Sequence, residues 1–187
     1  LKILQAKLNY VLQQIYSPKP YIYGFVPDGG IVRNAEVHSR KRFVLNIDLL
    51  DFFPSIHFGR VRGMFTARPY NCNPTVATVL AQICCLPKEY PAGPPYAQLP
   101  QGSPTSPIIS NMICAKLDSQ LRRLAQKYKC SYTRYADDLT FSTNLNRFPE
   151  SLARFVIDGT GVTSVVIGSE LEETISSNKF QINRSKI

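Results

Sequence analysis

A chain of 187 residues, 44% of them hydrophobic, is long enough to bury a core, and one compact domain is the expectation from size. With 22 Lys and Arg against 13 Asp and Glu, the formal charge is +9, which points to a polyanion, nucleic acid before membrane, because no cationic amphipathic stretch stands out. No apolar run reaches roughly 18 residues, no signal-peptide pattern opens the chain, and five cysteines without a C-x-x-C pair read as small core thiols of a reducing cytoplasm rather than as a disulfide framework or a zinc site.

Leu1, Leu4, Leu8, Leu12 and Ile15 recur at helical spacing, with Val11 beside them, and predict a helix that Ser17-Pro18-Lys19-Pro20 stops. Tyr21 to Val26 is aromatic and β-branched, and Pro27-Asp28-Gly29-Gly30 turns the chain. The polar, basic stretch from Arg33 to Arg42 predicts a short helix and a loop, and Phe43 to Ile47 a buried strand ending in Asp48. Val61–Phe65 and Val76–Cys85 have helical patterns. Leu86 to Pro100, with five prolines, reads as an extended loop. Ser103 and Pro104 are the expected N-cap and first residue of a helix reaching Lys129, with Ile109, Ile113, Leu117, Leu121 and Leu124 buried. Cys130–Arg134 and Leu139–Ser142 predict a hairpin around Tyr135-Ala136-Asp137-Asp138. Leu152–Ile157 and Val162–Ile167 predict a second, Glu170–Ser177 a helix, and Phe180–Asn183 a last strand. Strands interleaved with helices, two hairpins among them, predict an α+β fold: an antiparallel sheet backed by helices.

The chemistry starts from Asp137 and Asp138. An Asp-Asp pair at a turn is commonly just solvated. A tight turn can also aim both carboxylates to one side, and hard oxygen ligands of that kind suit Mg²⁺. Asp48, at the end of an apolar strand, needs a partner or an ion. Three such carboxylates brought together repel one another unless cations neutralise them, and two ions roughly 3.5–4 Å apart would clamp an in-line phosphoryl transfer. Asp51 reads as a turn residue. Phe52 and Phe53 cannot both face inward in a turn-like segment, so one is expected to wall the site, where a ring would collide with a ribose 2′-hydroxyl. Gln101-Gly102 is either a helix-capping loop or a wall against nucleotide or template.

Asn46-Ile47-Asp48 with Phe52-Phe53-Pro54, the run Leu99-Pro100-Gln101-Gly102-Ser103-Pro104-Thr105-Ser106-Pro107, and Tyr135-Ala136-Asp137-Asp138 together resemble the motifs of reverse transcriptases, in that family's order. The resemblance implies a right-hand polymerase palm with part of the fingers. Asp48, Asp137 and Asp138 would be the catalytic, metal-binding carboxylates for two Mg²⁺ ions, with Mn²⁺ as the alternative. Phe53 would discriminate the sugar, and Gln101 and Gly102 would line the nucleotide pocket. Phe180-Gln181-Ile182-Asn183-Arg184-Ser185-Lys186 is similar to the next motif, which implies Lys186 near the triphosphate, although Ile187 stands where Thr is usual.

Asn34-Ala35-Glu36-Val37-His38 is similar to the N-A-x-x-H element of bacterial retron reverse transcriptases, and it implies an RNA-contact set of Arg33, Asn34, His38 and Arg134. Group II intron and abortive-infection reverse transcriptases, and an idle RNA-binding palm, are the alternatives. On this resemblance residues 1–42 form part of the fingers and 43–187 the palm, with 58–100 inserted. Fingers strands would precede Leu1, and a thumb would follow Ile187. The implied partners are a structured noncoding RNA as template and primer, nascent DNA and dNTPs. An effector protein and a role against phage, in a bacterial cytoplasm and without a membrane, complete the expectation.

Overall fold

Side chains cap two of the helix starts, His57 at one and Asn73, followed by Pro74, at the other. The structure, a computed structural model, describes residues 1–86, 97–157 and 163–186. In chain order the elements are α1 (Lys2–Ile15), α2 (Ile31–His38), β1 (Phe43–Asp48), α3 (Phe58–Thr66), α4 (Pro74–Cys84), α5 (Ser106–Lys127), β2 (Ser131–Tyr135), β3 (Asp138–Thr143), β4 (Ala153–Ile157), β5 (Thr163–Ile167) and α6 (Ser169–Ser177), followed by a 3₁₀ turn at Arg184–Lys186. The α+β class stands. Most of the Leu86–Pro100 loop and the tip of the second hairpin lie outside the described residues, as does Ile187.

The chain divides into two compact units. The first comprises Leu1–Pro18 and Asp51–Ala115. In it α1 buries Leu12, while Leu1, Leu4 and Ile15 of the predicted stripe remain exposed. The helix is rolled so that Gln5 faces inward, its Nε2 donating to the Ile83 carbonyl at 2.8 Å. That carbonyl lies in the last turn of α4, where no intrahelical partner exists, so the amide satisfies an otherwise orphaned acceptor. Asn73 caps α4 as acceptor from Thr75 N, with Pro74 at the first position.

α5 begins at Ser106, not Pro104. A helix starting at Pro104 would need Pro107 to bond back to Ser103, but Pro107 has no N–H and its ring would strike that carbonyl. Starting at Ser106 puts Pro107 in the first turn, where no such bond is required.

The second unit comprises Lys19–Leu50 and Lys116–Ile187. Its sheet has the order β1-β3-β2, antiparallel throughout. Cross-strand partners share a face. Leu45, Phe141 and Tyr132 form one row and Ile47, Leu139 and Arg134 the next, all buried. The other face carries Val44 with Ser142, Asn46 with Thr140 and Thr133, and Asp48 with Asp138 and Tyr135. The free edge of β2 is partly covered by the segment at Tyr21–Tyr23, bonded both ways to Arg134 at 2.9 Å. The predicted last strand is a single bridge, Ile182 to Leu49, because the chain turns at Arg184 directly afterwards. The β4–β5 hairpin forms as predicted, and α6 buries Leu171 and Ile175. All five cysteines are free thiols, four of them buried. Among the described residues no helix is long and apolar enough to cross a membrane.

Candidate active site

The tip of the first hairpin is a two-residue loop, Ala136-Asp137, between the paired Tyr135 and Asp138. Ala136 adopts φ +54°, a region that costs a residue with a Cβ roughly 1–2 kcal/mol. The surroundings impose it. Arg134 Nη1 donates to the Ala136 carbonyl at 3.0 Å, and Leu49 N donates to the Asp137 carbonyl at 3.0 Å. Gly24 lies directly behind: a Cβ there would sit 2.3 Å from Ala136 N. Arg134 is itself fixed, with no exposed surface and a two-pronged pairing to Asp118 of α5 at 2.7 and 2.8 Å. Tyr132 Oη donates to the same carboxylate at 2.8 Å. Asp118 thus accepts three hydrogen bonds, and that is how so deep a pair is tolerated.

Register brings the second carboxylate alongside. Asp48 is the direct partner of Asp138 across β1 and β3. Its Oδ1 accepts from Asn183 Nδ2 at 2.8 Å and its Oδ2 from Lys186 Nζ at 2.7 Å. Asn183 N also bonds the Asp48 carbonyl at 2.8 Å, so the segment after α6 is tied to the end of β1. Burial, then Asp137 and Asp48, raise the Asp138 carboxyl above its usual range, against a smaller opposing pull from Lys186. The hydrogen bond to Asp48 raises the Lys186 ammonium in turn.

Among the described residues no three carboxylates, imidazoles or thiolates stand as a ready-made ion site. The donor chemistry nevertheless fits a divalent cation: hard oxygens only, with a mutual repulsion at Asp138 that a cation would relieve. Asp48 is the member turned elsewhere, since both its oxygens are engaged by Asn183 and Lys186.

The remaining predicted residues fall in several places. Phe53 belongs to the other compact unit, half-buried beside the buried Phe52, with ring centroids 5.3 Å apart. Gln101 and Gly102 lie there too, both exposed, Gly102 at φ +78°. His38 is buried, with Nδ1 against Ser142 Oγ and Nε2 against Thr133 Oγ1, each at 2.7 Å. It clamps α2 onto the sheet face that carries the aspartates. Arg33 is exposed and donates to the Asp28 carbonyl, while Asn34 is half-buried. Arg134, expected in the RNA-contact set, has no exposed surface and supports the hairpin through its bonds to Asp118 and the turn.

Sequence reasoning missed Gly24, Asp118 and Asn183 as parts of this site. Asp118 had a signal, a lone acid on the α5 face defined by Cys114, Leu121 and Ala125.

The reverse transcriptase (RNA-dependent DNA polymerase) family model matches residues 1–187. The chain belongs to the reverse transcriptase family. Its sheet, with the aspartates at the ends of β1 and of the β2–β3 hairpin, is the palm of that family. Similar proteins include the retron Mx65 reverse transcriptase of Myxococcus xanthus, 40% identical over 83% of this chain and 39% of that protein. The retron Ec86 reverse transcriptase of Escherichia coli is 41% identical over 74% of this chain and 41% of its own length. The retron Mx162 reverse transcriptase of Myxococcus xanthus is 33% identical over 98% and 39%. This reverse transcriptase chain is accordingly of the retron type, and it spans about two-fifths of the length of these relatives.

Proposed function

We propose that the chain carries the catalytic centre of an RNA-directed DNA polymerase that extends a primer on a structured noncoding RNA. The observation that carries this reading is the cross-strand pairing of Asp48 with Asp138, next to the turn bearing Asp137. Asp48, Asp137 and Asp138 would hold two Mg²⁺ ions, or Mn²⁺, which when bound supply activation of the attacking hydroxyl and charge neutralisation at the leaving pyrophosphate. The chain's own residues do the rest. The Arg134–Asp118 pair and Gly24 hold the hairpin tip in one conformation, so the carboxylates are positioned before substrate arrives. Lys186, exposed at the end of a long stem, holds Asp48 and can swing to a triphosphate. Phe53 is assigned to sugar selection, and Gln101 and Gly102 to the nucleotide pocket.

In the same reading residues 1–42 contribute to the fingers and 43–187 to the palm, with 58–100 inserted. The product would be a single-stranded DNA linked to its RNA, made in a bacterial cytoplasm for defence against phage, with an effector protein as a further partner. The retron type of the chain and its +9 charge support these assignments.

The test is primer extension by the full-length protein on primed RNA with dNTPs and Mg²⁺. Asp137→Asn is expected to abolish incorporation without loss of RNA binding. RNA binding with no incorporation by the wild type would instead make the protein an idle scaffold. Synthesis without template would place it with untemplated polymerases.

A further inference from the structure

The sheet of the second compact unit has two chemically opposed ends. Strand β1 runs from Phe43 to Asp48, five steps of roughly 3.4 Å, so Phe43 stands about 17 Å from the carboxylates. Register sets Thr143, the last residue of β3, beside Phe43. Residues 40–43 and 143–156, which lead into and out of that far end, hold Arg40, Lys41, Arg42, Arg147 and Arg154 against one acid, Glu150. Carboxylates pair with Lys127, Arg134, Arg184 and Lys186. Among the described residues none pairs with any of these five cations, so the far end keeps its charge for a partner.

An aromatic cluster lies at the same end. Phe43, Phe148 and Phe155 meet pairwise, with ring centroids 6.3 Å apart in each pair. Phe148 is buried and Phe43 half-buried, which anchors the cluster, while Phe155 is 47% exposed and offers ring surface to solvent. Its chain neighbour Arg154 and the neighbour of Phe43, Arg42, are both exposed. Arg42 is held without being neutralised: its N donates to Asn144 Oδ1 at 2.9 Å and its Nη1 to Asn146 Oδ1 at 2.6 Å. A neutral amide orients the guanidinium and leaves its charge and its other donors for an anion. Exposed rings that stack bases, beside guanidinium groups that take phosphates, are the means by which single strands are held. A duplex has its bases already stacked on one another and offers none to a ring.

We propose that this far end of the sheet docks a single-stranded segment of RNA, with one base on Phe155 and the flanking phosphates on Arg42 and Arg154. The proposal rests on the polymerase reading above for the identity of the polyanion, because on that reading the RNA is bound before any DNA exists. It adds a division of labour: the residues that hold the RNA are not those that receive its reacting end. An acidic protein segment would satisfy the same cations, but it would leave the stacking surface of Phe155 unused.

The experiment uses the full-length protein and an oligouridylate of about 12 nucleotides carrying 4-thiouridine, with the matching deoxy oligomer as a second arm. Ultraviolet crosslinks to the RNA are expected in the peptides containing residues 42–43 or 154–156. Phe155→Ala is expected to weaken oligouridylate binding about tenfold, the loss of one stacked base, and Phe155→Tyr, which keeps a ring, to restore it. Arg42→Gln combined with Arg154→Gln, both at exposed positions that the fold tolerates, should lower the slope of log affinity against log salt by about 1.4, two phosphates at roughly 0.7 each. Crosslinks confined to other peptides, wild-type affinity in Phe155→Ala, no recovery in Phe155→Tyr, or an unchanged salt slope would each overturn the proposal. An equal loss for the deoxy oligomer in Phe155→Ala would overturn the assignment to RNA. Polyglutamate binding lost in the arginine variant, with oligouridylate binding unchanged, would give the surface to an acidic protein instead. Primer extension is read apart from these: absent wild-type incorporation defeats the polymerase reading, whereas the variants are expected to leave KM for dNTP unchanged.

Discussion

Asp48 is served by two neighbours that arrive from one segment, Asn183 at Oδ1 and Lys186 at Oδ2. Asn183 orients the carboxylate and remains compatible with a cation at the other oxygen, whereas Lys186 occupies that oxygen with its own charge. Lys186→Met is therefore expected to tighten Mn²⁺ binding, measured by paramagnetic resonance without nucleotide, by about threefold to fivefold, a modest effect because the ammonium is exposed and screened. The same variant should raise KM for dNTP in primer extension. Unchanged Mn²⁺ affinity would mean that Lys186 does not compete for Asp48. His38 makes a pH prediction. Burial, with a smaller contribution from the Lys41 charge, lowers its pKa from 6.5 to about 4. The unfolded chain thus takes up a proton near 6.5 while the folded chain resists until about 4, so the stability His38 contributes is full above 6.5 and is lost as pH falls through that window. In urea titrations of the full-length protein, the gap between wild type and His38→Gln should narrow from pH 7 to pH 4.5. A gap that stays constant would show that His38 is not held neutral. Phe53→Ala should admit ribonucleotides in extension assays, and unchanged discrimination would remove Phe53 from the sugar gate.

The hairpin of β2 and β3 is the element on which the candidate site depends, and its support is buried and ionic. Removing one member of a buried ion pair leaves the other charge uncompensated, so Asp118→Ala is expected to cost about 3–5 kcal/mol in chemical denaturation. Gly24→Ala acts differently, since the added Cβ would meet Ala136 N at 2.3 Å and the turn must shift. Its expected signature is a fall in kcat of about a hundredfold with RNA affinity retained, because an ångström of misplacement at reacting groups costs on that order. Wild-type kcat in Gly24→Ala would show that the turn gives way without moving the carboxylates. These elements differ in how legible they were. Strand β1 and the hairpin follow from short apolar runs ending at acidic residues, and α4 from the helical pattern of Val76–Cys85. The start of α5 was missed because a good N-cap, Ser103, outweighed the clash that Pro107 makes four residues later. Asp118 and Asn183 were missed because their partners lie 16 and 135 positions away, at Arg134 and Asp48, and no local pattern encodes a contact that long. On α1 the helix was legible from its spacing, but the inward side was not, since Leu12 is buried with Gln5 while Leu1, Leu4 and Ile15 stay exposed.

At the scale of the whole molecule, net charge and site charge oppose each other. The chain carries +9, yet the candidate centre gathers three aspartates, with Lys186 bonded to one of them. On the proposed function, long-range attraction to a nucleic acid comes from lysines and arginines spread through the chain, while the reacting end of the strand approaches carboxylates that repel its phosphates. Affinity and catalysis should therefore separate in their response to salt. RNA affinity of the full-length protein, measured by filter binding, should fall by about 10³–10⁵ between 50 and 200 mM salt if six to ten phosphates are neutralised. Asp137→Asn and Asp138→Asn should leave that slope unchanged, because neither removes a cation, and should raise the affinity at every salt concentration by removing repulsion. A shallower slope in the aspartate variants would show that cations bound at the carboxylates, rather than the basic surface, hold the RNA.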